Sequence, residues 1–501
     1  MTLHDLMALD DPGQFRVRAL ALLQQQRDYI DQLEAALKQA RRWRFGAHSE
    51  ILPAGPQRRQ FEEDAETDIA VLETQLSRLH IQEEPPLARP KRQPLPAALP
   101  RESVRCGLDT QNCPDCGHPL RFLRDEITER LEYRPATFLV RRYVCPQYSC
   151  AACQGIHAQA QPAHLIEKGL PEPGLLAQVM VAKYRDHLPL YRQQQIYARS
   201  GVILARSTLS DWVGQVAMAL QPLADALKLA LLVSPVLHAD ETPLPVLVPG
   251  KGQTQRAYLW TYVTGRDHAP AVVYYELQPG RSGRYAGSCL KNWPGGTLVT
   301  DDYAGYNGLY ARPEITEAGC WAHARRKFFD YYQTSQSPVA KQALDGIREL
   351  YKLERKIRSR PPDKRRQWRQ RYARPWLDEF RSWLQTCQAK TAPNSGLHKA
   401  IAYTLKRWAA LVCYLNDGRV PIDNNRAENA LRGVAVGRKN WLFAGSLAAG
   451  QRAAMVMSLL ETAHVNGHDP WVWLRDVLRR LPTWPNNRLN ELLPWPENPF
   501  S

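Results

Sequence analysis

Three stretches decide the fold: 234–246, SPVLHADETPLPV; 295–306, GGTLVTDDYAGY; and 423–441, DNNRAENALRGVAVGRKNW. The first two are apolar, β-branched runs that read as buried strands, each reaching a carboxylate at or near its end, Asp240 and Asp301. The third reads as the start of a helix carrying Glu428, with Arg426, Arg432, Arg438 and Lys439 around it. Mg²⁺ takes a few carboxylates and keeps water and phosphate as its remaining ligands. Two strand-borne aspartates and a helix-borne glutamate beside basic residues is what two-metal phosphodiester chemistry requires. Asp302, next to Asp301, is an alternative second acid. Glu241 follows Asp240 on the strand, faces the opposite side, and reads as a structural partner for a nearby arginine.

Further strands, RAYLWTYVTG (256–265) and AVVYYELQPG (271–280), separate the two aspartates and meet in a tight turn at 265–267. A helix near 285–290 leads to the strand with Asp301, followed by EAGCWAHARRKFF (317–329). This order predicts a ribonuclease-H-like mixed α/β core over 233–334 and 416–467, interrupted at 335–415 by a helical basic insertion. The insertion contains ERKIRSRPPDKRRQWRQRYARPW (354–376), whose charge density suits a DNA-facing arm.

Outward from that core, 166–232 reads as a helical domain. Within it, 192–213 has a helix-turn-helix pattern in which Ser207 or Thr208 caps the second helix. Six of the ten cysteines lie between Cys106 and Cys153. Two CxxC knuckles, Cys113/Cys116 and Cys150/Cys153, joined by strand-like runs at 130–133 and 138–143, predict a zinc-ribbon-like domain over 104–165. Cys145 competes for one of the last two places, with His118 and His157 as weaker competitors.

Six prolines between 82 and 103 mark a linker. Before it, Leu23, Ile30 and Leu37, with Leu33 and Ala40 between, form a short heptad seam in a helical 1–81 region, either a coiled coil or a helix packed on its own domain. A second helical stretch is expected at 64–79. A C-terminal helix and an irregular proline-rich tail complete the chain over 468–501. The chain is thus expected to be a multidomain α+β protein.

A net charge of +16 over 501 residues favours a polyanionic partner. No apolar run approaches the roughly 20 residues that span a bilayer. The N-terminus lacks a signal-peptide core, so a cytoplasmic protein is expected.

RFGAHSE (44–50), CPDCG (113–117), AKYRDHLPLYRQ (182–193), ADETPLPVL (239–247), TDDYAGYN (300–307), GCWAHARRKFF (319–329), DNNRAENALR (423–432) and GRKNWLFAGS (437–446) together resemble the bacterial insertion-sequence-sixty-six family of DDE transposases. The resemblance implies metal-dependent strand cleavage at the element's ends and strand transfer into target DNA. It places the catalytic acids on Asp240, Asp301 and Glu428, held with Mg²⁺ or Mn²⁺, beside a separate Zn²⁺ site. Arg325, Arg326, Arg432, Arg438 and Lys439 are the expected DNA contacts, and Cys320 and His323 have a supporting role beside the metal ligands. Trp441 and Phe443 are better read as core than as base-stacking residues. Expected partners are the terminal inverted repeats and target DNA, other copies of the chain, and small accessory proteins of the same element, with no membrane. Two rival readings use the same residues: a non-catalytic DNA-binding regulator, and a metal-dependent nuclease that cuts without joining.

Overall fold

The structure, a computed structural model, describes residues 95–497 except 98, 108–111, 135, 136, 168 and 249, together with positions 20, 24, 27, 30, 33, 34 and 37. Those seven positions are helical. Leu33 and Leu37 are buried and Ile30 is half-buried, while Leu20 is exposed. The other seam residues, Leu23 and Ala40, the RFGAHSE motif and the helical stretch at 64–79 lie outside the described residues.

A four-stranded sheet comes first, with β1 Arg101–Arg105, β2 Leu120–Arg134, β3 Thr137–Cys150 and β4 Ile156–Ala158. β2 and β3 form an antiparallel hairpin far longer than the two short runs expected, and β1 pairs with β3 in parallel. The extra length is polar, so it does not read as strand. It is held by cross-strand charge: Arg142 and Arg101 both reach the carboxylate of Glu129, at 3.1 and 3.0 Å. Residues 101–103, which the proline count puts in the linker, belong to this sheet.

Three helices follow, α1 Pro173–Tyr184, α2 Leu190–Arg199 and α3 Arg206–Leu231. α2 and α3 are joined by a turn in which Gly201 adopts a φ of 77°, a conformation open to glycine without strain. The residue preceding α3 is Ala205, with no side-chain cap, so Ser207 and Thr208 lie inside the first turn rather than capping it.

The second sheet is mixed. Its strands are β5 Val236–Leu247, β6 Thr254–Thr264, β7 Val273–Gln278, β8 Gly296–Val299 and β9 Ile315–Ala318, in the order β7-β6-β5-β8-β9. β6 is antiparallel to β5 and β7, whereas β8 runs parallel to both β5 and β9. Two short helices, α4 Gly283–Cys289 and α5 Asn307–Tyr310, lie between the strands. After β9 come α6 Trp321–Ser335, α7 Pro338–Ile357, α8 Pro362–Trp368, α9 Arg374–Ala389, α10 Gly396–Lys406 and α11 Trp408–Val412. α12 Asn425–Trp441, α13 Leu447–Val465 and α14 Pro470–Arg480 end the fold.

Both sheet faces are covered. One apolar cluster joins α1 to α3 with Leu237, Ala239 and Trp260 of the sheet and with α13 and α14. Leu492 and Leu493 of the tail are fully buried in that cluster, and Trp473 Nε1 donates to Leu492 O (3.1 Å), so the tail is packed structure. A second cluster packs Val236, Val299 and Ala318 against α6 to α11. A third holds α12 on β5 to β7 and includes Trp441 and Ala444. Phe443 is also buried, so the core reading of that aromatic pair holds. The exposed edge of β7 is satisfied by side chains of α13: Ser458 and Thr462 hydroxyls accept from Tyr275 N (2.8 Å) and Val273 N (3.1 Å).

The insertion is not uniformly a basic surface. Arg369 is only 2% exposed, makes a two-pronged pair with Glu354 (2.7 and 2.8 Å), and donates to the carbonyls of Tyr414, Asp417 and Val420. Removing a buried guanidinium strands its carboxylate and carbonyls, at a cost of about 3–5 kcal/mol. Arg369→Ala is expected to lower the urea midpoint by that measure, and Arg369→Lys to recover only part of it, because an ammonium lacks the planar fork. A midpoint unchanged by Arg369→Ala would remove this account.

Candidate metal centres

Asp240 sits on the central strand and Asp301 just beyond its parallel neighbour. The register pairs His238 of β5 with Val299 of β8. Asp240 lies two residues further along β5, and Asp301 two residues past the last paired position of β8. Glu428 arrives from the first turn of α12. Burial raises Asp240 to about 7, with contributions from the neighbouring charges of Glu241, Asp301 and Glu428. Like charges this close favour the protonated form of the most buried member.

The spacing between strand and helix depends on Asn424, fully buried at the N-terminus of α12. Its Nδ2 donates to Ala239 O (2.8 Å), the residue before Asp240. Its Oδ1 accepts from His238 Nδ1 (3.0 Å), and its backbone N–H donates to Cys320 Sγ (3.2 Å). Because the amide nitrogen is occupied by a carbonyl, the amide oxygen fixes His238 as the Nδ1–H tautomer. Burial pushes His238 down to about 3, so the ring is neutral. Neither residue is among those the sequence pattern picks out. A histidine in an apolar strand is the available signal for one, while Asn424 stands among Asp423 and Asn425 with nothing local to single it out.

Cys320, His323 and Glu428 bring their ligand atoms within 4.8 Å of one another, a spacing that the three acids do not share among the described residues. His323 Nδ1 lies 3.7 Å from Glu428 Oε1, and both atoms are buried without a hydrogen-bond partner. Arg326 reaches Glu428 at 3.9 Å. Arg325 is exposed one position earlier on α6. Arg432, Arg438 and Lys439 extend along α12 away from Glu428; the last two lie about 15 Å beyond it by helical rise. Arg438 donates to Pro243 O of β5. Asp302 is held by Arg407 (3.2 Å) and Lys406 (3.9 Å), away from Asp240, whereas Asp301 Oδ1 accepts from Tyr303 N (2.9 Å). Glu241 pairs with Arg281 (2.6 Å) and accepts from Tyr306 OH (2.6 Å), the structural partnership its strand position implies.

At the end of the β2–β3 hairpin, Cys113, Cys116, Cys150 and Cys153 form a closed set. Their sulfurs approach to 3.2 Å (Cys116–Cys150), 3.4 Å (Cys116–Cys153) and 3.6 Å (Cys113–Cys153), as four thiolates around one Zn²⁺ would. The Cys153 backbone N–H, aided by the Cys116 thiol, holds Cys150 down to about 6, so a thiolate is present at neutral pH. Cys145 lies outside this group of four: its thiol interacts with Cys106, and burial raises it to about 11. His118 turns to the Cys116 carbonyl (3.2 Å). His157 Nε2 stands outside the four sulfurs, 3.2 Å from Cys113 Sγ and 3.4 Å from Asp115.

The chain matches family models described as Transposase IS66 family over 168–452, IS66 C-terminal element over 458–495, zinc-finger binding domain of transposase IS66 over 110–154, and Transposase C of IS166 homeodomain over 32–104. Among curated proteins it is similar to two uncharacterised proteins of Sinorhizobium fredii. It is 36% identical to y4hP over 429 residues, covering 81% of this chain and 77% of the relative. It is 34% identical to y4qI over 487 residues, covering 93% and 89%.

An acid whose folded pKa is raised stabilises the fold below its unfolded value and loses that contribution as pH rises to about 7. Metal-free Asp240→Asn protein should therefore melt a few degrees above wild type at pH 8, with the gain shrinking towards pH 4. Thermal melts in chelator across that range check it, and a gain independent of pH would contradict the burial account. Cys116→Ser should reduce bound zinc from about one ion per chain to near none in elemental analysis, whereas Cys145→Ser should leave it unchanged.

Proposed function

For a chain that belongs to the IS66 transposase family, we propose that Asp240, Asp301 and Glu428 form the catalytic centre of a DNA transposase. The observation that carries this reading is that Asp240 on β5 has Asp301, just past the end of the parallel strand β8, and Glu428 of α12 near enough for their charges to raise it. The sheet order β7-β6-β5-β8-β9, with β6 antiparallel to its neighbours, supports a ribonuclease-H-like core. The partnerless Glu428 Oε1 and the proton-holding Asp240 carboxyl fit a hard divalent cation, Mg²⁺ or Mn²⁺. Bound there, such ions would supply the positive charge that activates a hydroxyl nucleophile and steadies the departing 3′-oxygen. Asp302, occupied by Arg407 and Lys406, is the poorer second acid.

The chain's own groups have distinct tasks. Asp240 and Asp301, fixed by the sheet, define where a phosphodiester can sit. Asn424 sets the distance from that pair to Glu428. Arg326, beside Glu428 and largely exposed, contacts a backbone phosphate. Arg325 extends that contact along α6, and Arg432, Arg438 and Lys439 continue it along α12. The four thiols hold Zn²⁺ in a structural role that stiffens the β2–β3 hairpin. The described positions of the N-terminal helix, with Leu33 and Leu37 buried, are compatible with pairing to another copy or with packing on the same chain. The partners on this reading are the element's terminal repeats, target DNA and further copies of the chain.

Asp240→Ala, Asp301→Ala and Glu428→Gln should each lower strand cleavage of an end-bearing duplex by about a thousandfold or more, a loss of about 4 kcal/mol of transition-state stabilisation. Duplex affinity should change little. A variant that still cleaved would remove its residue from the centre. Cleaved but never joined products from wild type would instead favour the nuclease reading.

A further inference from the structure

Five arginines converge on the turn between β6 and β7. Arg426, half-buried on the first turn of α12, donates from Nε to Thr264 O at the end of β6 (3.1 Å). Arg266, two residues on, is exposed. Arg365 is buried and pairs with Asp267 of the same turn. It also donates to Arg358 O (3.4 Å) and Gly418 O (2.8 Å), which brings the end of α7 with Arg358, and the loop with Arg419, to the same place. Asp267 acts on Arg266, Arg419 and Arg426, and Asp417 is engaged by Arg419 at 2.7 Å. The group therefore keeps an excess of positive charge. Burial lowers Arg266, and the neighbouring Arg358 and Arg365 lower it further.

Planar guanidinium groups crowded together without enough carboxylate are matched to phosphate oxygens, which they grip two at a time. Their position selects the kind of phosphate. Thr264 pairs with Leu237, three residues before Asp240 on β5, so the cluster lies about 10 Å from the acids along the strand. Arg426 also acts on His238, which lies on the same strand face as Asp240.

We infer that Arg266, Arg358 and Arg426, braced by Arg365, form a seat for the DNA backbone flanking the reacting phosphodiester, about 10 Å from the acids. The inference rests on the transposase reading and adds the strand's exit path. The seat is made from three separate segments: the β6–β7 turn, the end of α7 and the start of α12. It therefore exists only in the assembled fold.

The test uses the full zinc-loaded chain and a short fluorescent DNA duplex of arbitrary sequence, with affinity measured over a range of salt. Arg266→Gln/Arg358→Gln removes two exposed members and spares the buried brace. The slope of log affinity against log salt should fall by about one for each residue removed, weakening binding to all sequences alike. Arg488→Gln, remote from the cluster, should leave the slope unchanged, and unaltered melting temperatures should accompany both. A double variant with wild-type slope and affinity, while wild type still cleaves an end-bearing duplex, overturns the seat and leaves the transposase reading standing. Wild type that neither binds nor cleaves overturns both.

Discussion

One buried amide ties the candidate centre together. Asn424 is bonded to the strand that carries Asp240, through Ala239 O and His238, and to the thiol that opens α6, while its own helix presents Glu428 four residues later. Hydrogen bonds of this kind are worth about 1 kcal/mol each in net stability. Their positional effect is larger, because a fully buried amide has no water to fall back on and so admits a single arrangement. The neutral state of His238 belongs to the same arrangement: a charged ring would sit, desolvated, within the field of Arg426.

The acids themselves work against the fold. Asp240 is raised to about 7 by burial and by the charges of Glu241, Asp301 and Glu428, so its ionisation weakens the fold at higher pH. What allows it to persist is the apolar material on each side of the sheet: α1 to α3 with α13 and α14 against one part, and α6 to α11 against another. A preorganised polar site is expensive, and a scaffold packed on both faces is what keeps its groups aimed in advance.

Much of the centre is legible in the amino-acid sequence, and the reasons differ by residue. Asp240 and Asp301 are readable because an apolar strand that runs into an acid is a local pattern. The CxxC pairs are readable because knuckle spacing is set by tetrahedral geometry, and Cys145 falls away only once β1 has placed Cys106 beside it. The long β2–β3 hairpin is not readable, since its Glu and Arg residues pair across strands and composition shows only a charged segment. Arg365 and Arg369 look like members of a DNA-facing run, yet both are buried clamps on backbone carbonyls. Burial of an arginine depends on which chain segments return to meet it, and no window of sequence contains that information. The same holds for Ser207 and Thr208, inside the first turn of a helix that begins without a cap.

The position of α12 in the chain has a temporal consequence. Glu428 follows α6 to α11 in the chain, whereas the thiol quartet and the helices α1 to α3 precede the β5–β9 sheet altogether. Domains emerge from the ribosome in order, at about 5–20 residues per second. A nascent chain would thus hold its front portion for about 10–40 seconds before it held all three acids. On the proposed reading, the order of synthesis keeps the set of acids incomplete until the sheet and α6 to α11 have been made.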